Sequence, residues 1–188
     1  MATTAPRLIT VDEFLAIKWD DSDTKAELDN GVIRIMRMMA GGSADHSRVQ
    51  GNILTALRAK LRGTECRAHG PDMAVLVNEY SFRYPDVSVY CGRNGREFRK
   101  WLAFDDPKLL VEVLSPSTRA QDFESKLPEY MNIPSVDAIL FVDPDDETVR
   151  FWRREGARLQ EVPTWTGATI ALDSLNTALS WDEIFADD

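Results

Sequence analysis

The chain reads as one α/β or α+β domain, and three patterns predict that class. Leu109-Leu110-Val111-Glu112-Val113-Leu114 is an apolar run of strand length, the signature of a strand buried on both faces at the centre of a sheet. Val49, Ile53, Leu57 and Leu61 recur every four residues and give a helix one apolar stripe. In the last third, short strand-like segments follow one another, separated by turn residues at Asp143-Pro144-Asp145-Asp146 and Glu155-Gly156.

The elements follow in order. Thr10-Val11-Asp12-Glu13 is a capping box that opens a short helix through about Ile17. Asn30-Gly31 lies between two alternating segments, 26–29 and 32–36, and tolerates the positive φ angles of a hairpin turn. Ala40 to Asp45 is a loop; the striped helix runs from near His46 to Leu61 and stops at Gly63. Strands are expected at Glu65–His69, Met73–Val77 and Val87–Tyr90, followed by a loop from Cys91 to Phe104. After the central strand, Ser115-Pro116-Ser117-Thr118 breaks the chain, and Arg119–Met131 is helical with a kink or shortening at Pro128. Segments 137–143, 148–154, 158–162 and 168–172 are strands, and Trp181–Phe185 closes the chain as a short helix.

Bulk properties narrow the class. A length of 188 residues fits a single domain over 1–188, and 44% hydrophobic residues supply a core. No run approaches the roughly 20 apolar residues of a membrane span, and the first residues lack a signal-peptide pattern. The expected location is therefore the cytoplasm, with no membrane partner. Cys66 and Cys91, far apart in sequence, read as two separate half-buried residues rather than a disulfide framework. The formal charge of −9 is unfavourable for a long phosphate-gripping surface. Two local basic stretches remain: Arg58, Lys60, Arg62 and Arg67, then Arg93, Arg96, Arg99 and Lys100.

Chemistry concentrates between Pro85 and Lys126. Asp86 begins a strand, and Glu112 is the single charged residue of the central apolar run. A carboxylate there is costly unless it is ion-paired or bound to metal. Neighbouring strands would bring the two acids together, and hard oxygen donors suit Mg²⁺ or Mn²⁺. Lys126 lies on the next helix, where a strand, tight turn and helix can return its ammonium to the strand end. There it could orient a metal-bound water or stabilise charge on a phosphate. A structural ion pair for Glu112, a strand-end carboxylate for Asp86 and a solvated lysine are the competing readings. Gly41-Gly42-Ser43 lacks the Gly-Lys-Ser/Thr of a phosphate loop, and His46 and His69 are too few for a zinc site.

Pro85-Asp86, the run Leu110 to Thr118, Asp122, Lys126, Tyr130 and Ile133-Pro134-Ser135-Val136 resemble the Uma-two family, a bacterial group assigned as nucleases. The likeness extends to Glu27-Leu28-Asp29-Asn30-Gly31 and His46-Ser47 upstream, and to Phe141-Val142-Asp143-Pro144 downstream. It implies the PD-(D/E)XK restriction-endonuclease-like core, a mixed, mainly antiparallel sheet flanked by helices, here with extra C-terminal strands. It also implies Asp86 and Glu112 as metal carboxylates, with the Val113 carbonyl completing the shell, and Lys126 as the catalytic lysine. The general superfamily carries its lysine two residues after the glutamate, where this chain has Leu114. Glu27 and His46 are further catalytic candidates, one as an additional metal or water ligand and the other as a base or phosphate contact. Ser115 and Gln121 are candidates to support them.

Three functions fit. One is a Mg²⁺-dependent endonuclease acting on nucleic acid, DNA first. A second is a non-catalytic binding or assembly module on the same fold, and a third is a metal-dependent hydrolase of a small phosphorylated molecule. A homodimer through the strand-rich C-terminal region, with Trp152 and Trp165 as contacts, is also expected.

Overall fold

The computed structural model describes residues 7–20, 24–36, 43–93, 99–116 and 119–187, without the side chains at 121 and 122. The Thr10 capping box forms as expected. Its hydroxyl accepts from the Glu13 amide, and Glu13 accepts from the Thr10 amide, starting α1 (Val11–Leu15). Strands β1 (Lys25–Asp29) and β2 (Val32–Met36) pair in the predicted hairpin. Asn30 and Gly31 both take positive φ, 47° and 79°, as the tight turn demands. A Cβ on Gly31 would also lie 2.7 Å from that of Leu8, so no larger residue fits.

Helix α2 (Ala44–Lys60) begins two residues before the expected start, because Ser43 caps it by accepting from the His46 amide. It buries the predicted stripe of Val49, Ile53 and Leu57. The strands β3 (Cys66–His69), β4 (Ala74–Asn78) and β6 (Val87–Cys91) lie close to their expected places. Two further strands form, β5 (Ser81–Arg83) in a segment without an expected element and β7 (Ala103–Phe104) inside the expected loop. Both are too short to show periodicity, and β5 carries a buried arginine that breaks any apolar pattern.

The central six-stranded sheet has the order β11-β10-β9-β8-β6-β3. It contains β8 (Leu109–Val113), β9 (Ala138–Asp143), β10 (Thr148–Glu155) and β11 (Arg158–Val162). Only the β8–β9 pairing is parallel, so this sheet is mixed and mainly antiparallel. The second sheet has the order β2-β1-β5-β4-β7. A small pair, β12 (Thr169–Leu172) and β13 (Thr177–Ser180), precedes α5 (Trp181–Phe185). β13 was not anticipated, since it mixes small, polar and apolar residues without alternation.

All of β8 is buried, as its composition predicts. Alternation then sorts its side chains. Leu109, Val111 and Val113 pack with residues of α2 and α5, whereas Leu110 and the following Leu114 pack with Tyr130, Ile133, Phe141 and Trp152. Glu112 therefore stands among apolar neighbours on the second face.

The segment from Arg119 is helical but not uniform. A short α3 (Arg119–Gln121) passes into a π-helical turn (Asp122–Lys126), and α4 (Leu127–Met131) follows. Pro128 falls in the first turn of α4, where a missing amide sacrifices no intrahelical bond. The expected interruption is thus absorbed by a change of helical pitch.

The cysteine expectation is corrected. Cys66 and Cys91 are directly opposite in the β3–β6 ladder, with Cα atoms 3.9 Å apart, and are joined by a disulfide. Strand pairing annuls their 25-residue sequence separation. The tryptophan expectation also divides: Trp152 is buried against Phe123 and Phe141, while Trp165 is exposed. Trp152 is therefore core rather than a contact surface. No helix among the described residues is long and apolar enough to cross a membrane.

Candidate active site

Glu112 is 3% exposed, and two side chains from the helical segment grip it. Lys126 Nζ donates to Oε2 at 2.9 Å, and the Tyr130 hydroxyl donates to Oε1 at 2.6 Å. Lys126 is itself buried, and that carboxylate compensates its ammonium. Burial, then the nearby negative charges of Glu112 and Glu27, push the Tyr130 phenol well above its ordinary range. Tyr130 therefore stays protonated and acts as a donor.

Asp86 approaches from the neighbouring strand. Val87 pairs with Val111, and one further step of that antiparallel register sets the Asp86 backbone beside Glu112. Its carboxylate Oδ2 accepts from the Val113 amide at 2.7 Å and lies 3.5 Å from His46 Nε2. Gln50, one helical turn after His46, donates to the Asp86 carbonyl at 3.1 Å. The start of α2 and the ends of β6 and β8 thus meet at Asp86. Four predicted residues, Asp86, Glu112, Lys126 and His46, share this corner of the molecule, and Val113 is the backbone link between the two carboxylates.

Glu27 has a different setting. Its Oε1 accepts from the Tyr84 amide at 2.9 Å, and its Oε2 lies 3.3 Å from Arg83 Nη1. Arg83, 2% exposed, also donates to Asp29 at 2.6 Å and to both oxygens of Glu129, at 2.7 and 3.0 Å. Ser81 donates to Glu129 at 2.8 Å, and Arg34 pairs with Asp29. Two guanidinium groups therefore face three carboxylates in a largely buried network. Burial works against ionised Asp29, but Arg83 and Arg34 overcome it and hold that carboxyl below its ordinary value. Because Glu129 precedes Tyr130, this network fastens α4 to β1 and β5. Sequence reasoning assigned Glu27 to catalysis and passed over Arg83 and Glu129. The segment Ser81-Phe82-Arg83 carried no apolar pattern to signal a buried arginine.

The remaining candidates are more peripheral. Ser115 is buried, and its carbonyl accepts from the Arg119 amide. The Gln121 and Asp122 side chains lie outside the described residues, as do Ser117 and Thr118. So does Arg96 of the second basic stretch, while Arg93 is paired with Asp105 and Asp106.

A cavity of about 450 Å³ opens on the Glu112 side of the sheet, lined by Leu114, Arg119, Phe123, Phe141, Asp143 and Arg150 among others. Phe141 is the β9 partner of Glu112 in the β8–β9 ladder, but none of Asp86, Glu112 and Lys126 is among the described residues that line this cavity. Arg150 lies over the Phe123 ring at 4.1 Å. Among the described residues, no three His, Cys, Asp or Glu side chains form a ready metal cage. Asp86, Glu112 and the Val113 carbonyl are the groups that would hold a Mg²⁺ ion, which keeps several of its waters and uses one or two carboxylates.

A carboxylate and a lysine thus meet at the central strand of a mixed sheet. The structural comparison agrees at the level of fold: a crystal structure described as a "putative nuclease belonging to DUF820" from Anabaena variabilis ATCC 29413 is similar, with a TM-score of 0.73 at 20% identity. That similarity covers 95% of this chain and 98% of the other. The family model described as "Uma2: Putative restriction endonuclease" matches residues 11–182, and the chain belongs to that family. Two uncharacterised proteins of Synechocystis sp. are similar as well. One is 33% identical over 67% of this chain and 65% of its own length, just under two thirds; the other is 27% identical over 84% and 88%.

Proposed function

We propose that the protein is a Mg²⁺- or Mn²⁺-dependent nuclease hydrolysing phosphodiester bonds at the Asp86–Glu112–Lys126 corner. The observation that carries this reading is Glu112, a carboxylate on the central strand, gripped by Lys126 and opposite Asp86 where the β6–β8 register continues one step past Val87 and Val111. Asp86, Glu112 and the Val113 carbonyl would hold the cation. The bound ion would supply charge stabilisation on the phosphate and a lowered pKa for an attacking water. Lys126, already desolvated beside Glu112, would stabilise the negative charge growing on the phosphoryl oxygens. His46, next to Asp86, is placed to accept a proton or to contact a phosphate. Water adds to phosphorus, the bond to one sugar oxygen breaks, and the products are a terminal phosphate and a hydroxyl. Glu27 is assigned to fastening the helix through Arg83 rather than to the ion.

The cavity on the same face of the sheet, reached from Glu112 across Phe141, favours a second reading. Its volume falls in the roughly 300–1,000 Å³ range of small-ligand sites, and the −9 charge disfavours a long duplex. A small phosphorylated substrate, such as a nucleotide, fits both facts. The test is a panel of duplex DNA, single-stranded DNA, RNA and free nucleotides with Mg²⁺ or Mn²⁺, run on wild type, Asp86→Asn and Glu112→Gln. Cleavage of polymer by wild type alone supports the nuclease, and turnover of nucleotides alone supports the small-molecule reading. No turnover with any substrate, or equal turnover in both variants, refutes catalysis at this site and leaves a binding module.

A further inference from the structure

We propose that Tyr130 is the positioning residue for Glu112, fixing the carboxylate in the orientation in which it meets a divalent cation; this inference rests on the metal-dependent reading above. Lys126 and Tyr130 are four residues apart, so successive turns present them on the same side of the helical segment. They take different oxygens of one carboxylate, Lys126 at Oε2 and Tyr130 at Oε1. That division fixes both the position of the group and the plane in which it lies.

The two donors differ in how firmly they are held. Lys126 reaches Glu112 on a flexible stem. Tyr130 is fully buried, and its ring packs in the cluster of Leu110, Ile133, Val136 and Phe141. Its 2.6 Å contact lies in the range of a hydroxyl bonded to an ionised carboxylate, roughly 2.5–2.7 Å. The residue before it, Glu129, is tied to Arg83 and Ser81, which fixes the rotation and depth of α4. The π-helical turn that ends at Lys126 adds a residue to the helical path, and such turns often occur at functional sites. Together these features aim one rigid phenol at the carboxylate.

Tyr130→Phe keeps the ring and removes only the donor. Calorimetry with Mn²⁺, on wild type and this variant, should show a dissociation constant raised about 10- to 100-fold, the usual effect of deleting a hydrogen bond to a metal ligand. In the cleavage assay, the Mg²⁺ concentration for half-maximal rate should rise in parallel while KM for substrate stays unchanged. A merely structural tyrosine would lower the melting temperature without moving either metal response. A second measurement leaves the fold untouched. With 3-fluorotyrosine at the four tyrosines, the ¹⁹F signal of Tyr130 should shift on adding Mg²⁺ to wild type and stay fixed in Glu112→Gln. Wild-type Mn²⁺ affinity retained in Tyr130→Phe overturns the positioning role alone. Absence of Mn²⁺ binding in wild type overturns the metal-dependent reading and this inference with it.

Discussion

Arg83→Met would remove the one cation shared by Glu27, Asp29 and Glu129 while preserving most of the side-chain volume. All four side chains are at most 8% exposed, so water cannot take the place of the guanidinium. Breaking a buried pair by deleting one partner costs about 3–5 kcal/mol, because the remaining charge is stranded. Three carboxylates lose their counter-ion here, and among the described residues only Asp29 retains a second, Arg34. At about 2–4 °C per kcal/mol for a chain of this size, the melting temperature should fall by roughly 6–20 °C. The deficit should also depend on pH in a known direction. In wild type Asp29 titrates below its ordinary value, so its contribution is present above that value and lost as pH falls through the depressed one. Without Arg83 that depression shrinks, leaving less to lose on acidification, and the gap between variant and wild type should narrow toward low pH. Thermal melts and urea titrations from about pH 8 down to about pH 2, through and below the ordinary aspartate value, measure both effects. A loss under about 1 kcal/mol at pH 7, a surface-pair magnitude, or a gap that widens in acid, would refute the view of the network as a buried, Arg-centred lock on α4.

Two further outcomes follow from the packing. Ser180→Ala should cost about 1 kcal/mol, because Ser180 and Glu183 cap α5 reciprocally; equilibrium denaturation checks it. The Lys60 ammonium, with the Ser180 amide, holds the Glu183 carboxyl below its ordinary value, so this contribution should vanish in acid as pH falls through that lowered value. Reducing Cys66–Cys91 should cost about 3 kcal/mol for a loop of this length, read as a lower urea midpoint with dithiothreitol; an unchanged midpoint would argue against the bond.

Much of the fold could be read from the chain where local physics decides it. The Thr10 box, the Asn30-Gly31 turn, the stripe of α2 and the apolar run of β8 each carry their signal within a few residues. What escaped depends on distant partners. β5 is a strand because β1 and β4 flank it, and Arg83 is tolerated there because Glu129 arrives from 46 residues away. Cys66 and Cys91 meet only through the register of β3 with β6. At the site, a charge in a buried strand marked Glu112 on sequence grounds alone. Lys126 needed the family likeness, since its route back to Glu112 runs through a π-helical turn that no periodicity announces. Tyr130 entered the family likeness without a role, and its hydroxyl bond to Glu112 appears only once the face of β8 is assigned. Glu27 was marked by the family likeness rather than by an apolar setting, and it faces an arginine.

The most direct test of the central claim is anomalous diffraction from crystals soaked in Mn²⁺. The account predicts a manganese peak coordinated by Asp86, Glu112 and the Val113 carbonyl, with Lys126 beside it and the peak absent in Glu112→Gln. A peak elsewhere, or none at saturating Mn²⁺ with Lys126 still closed on Glu112, would contradict it.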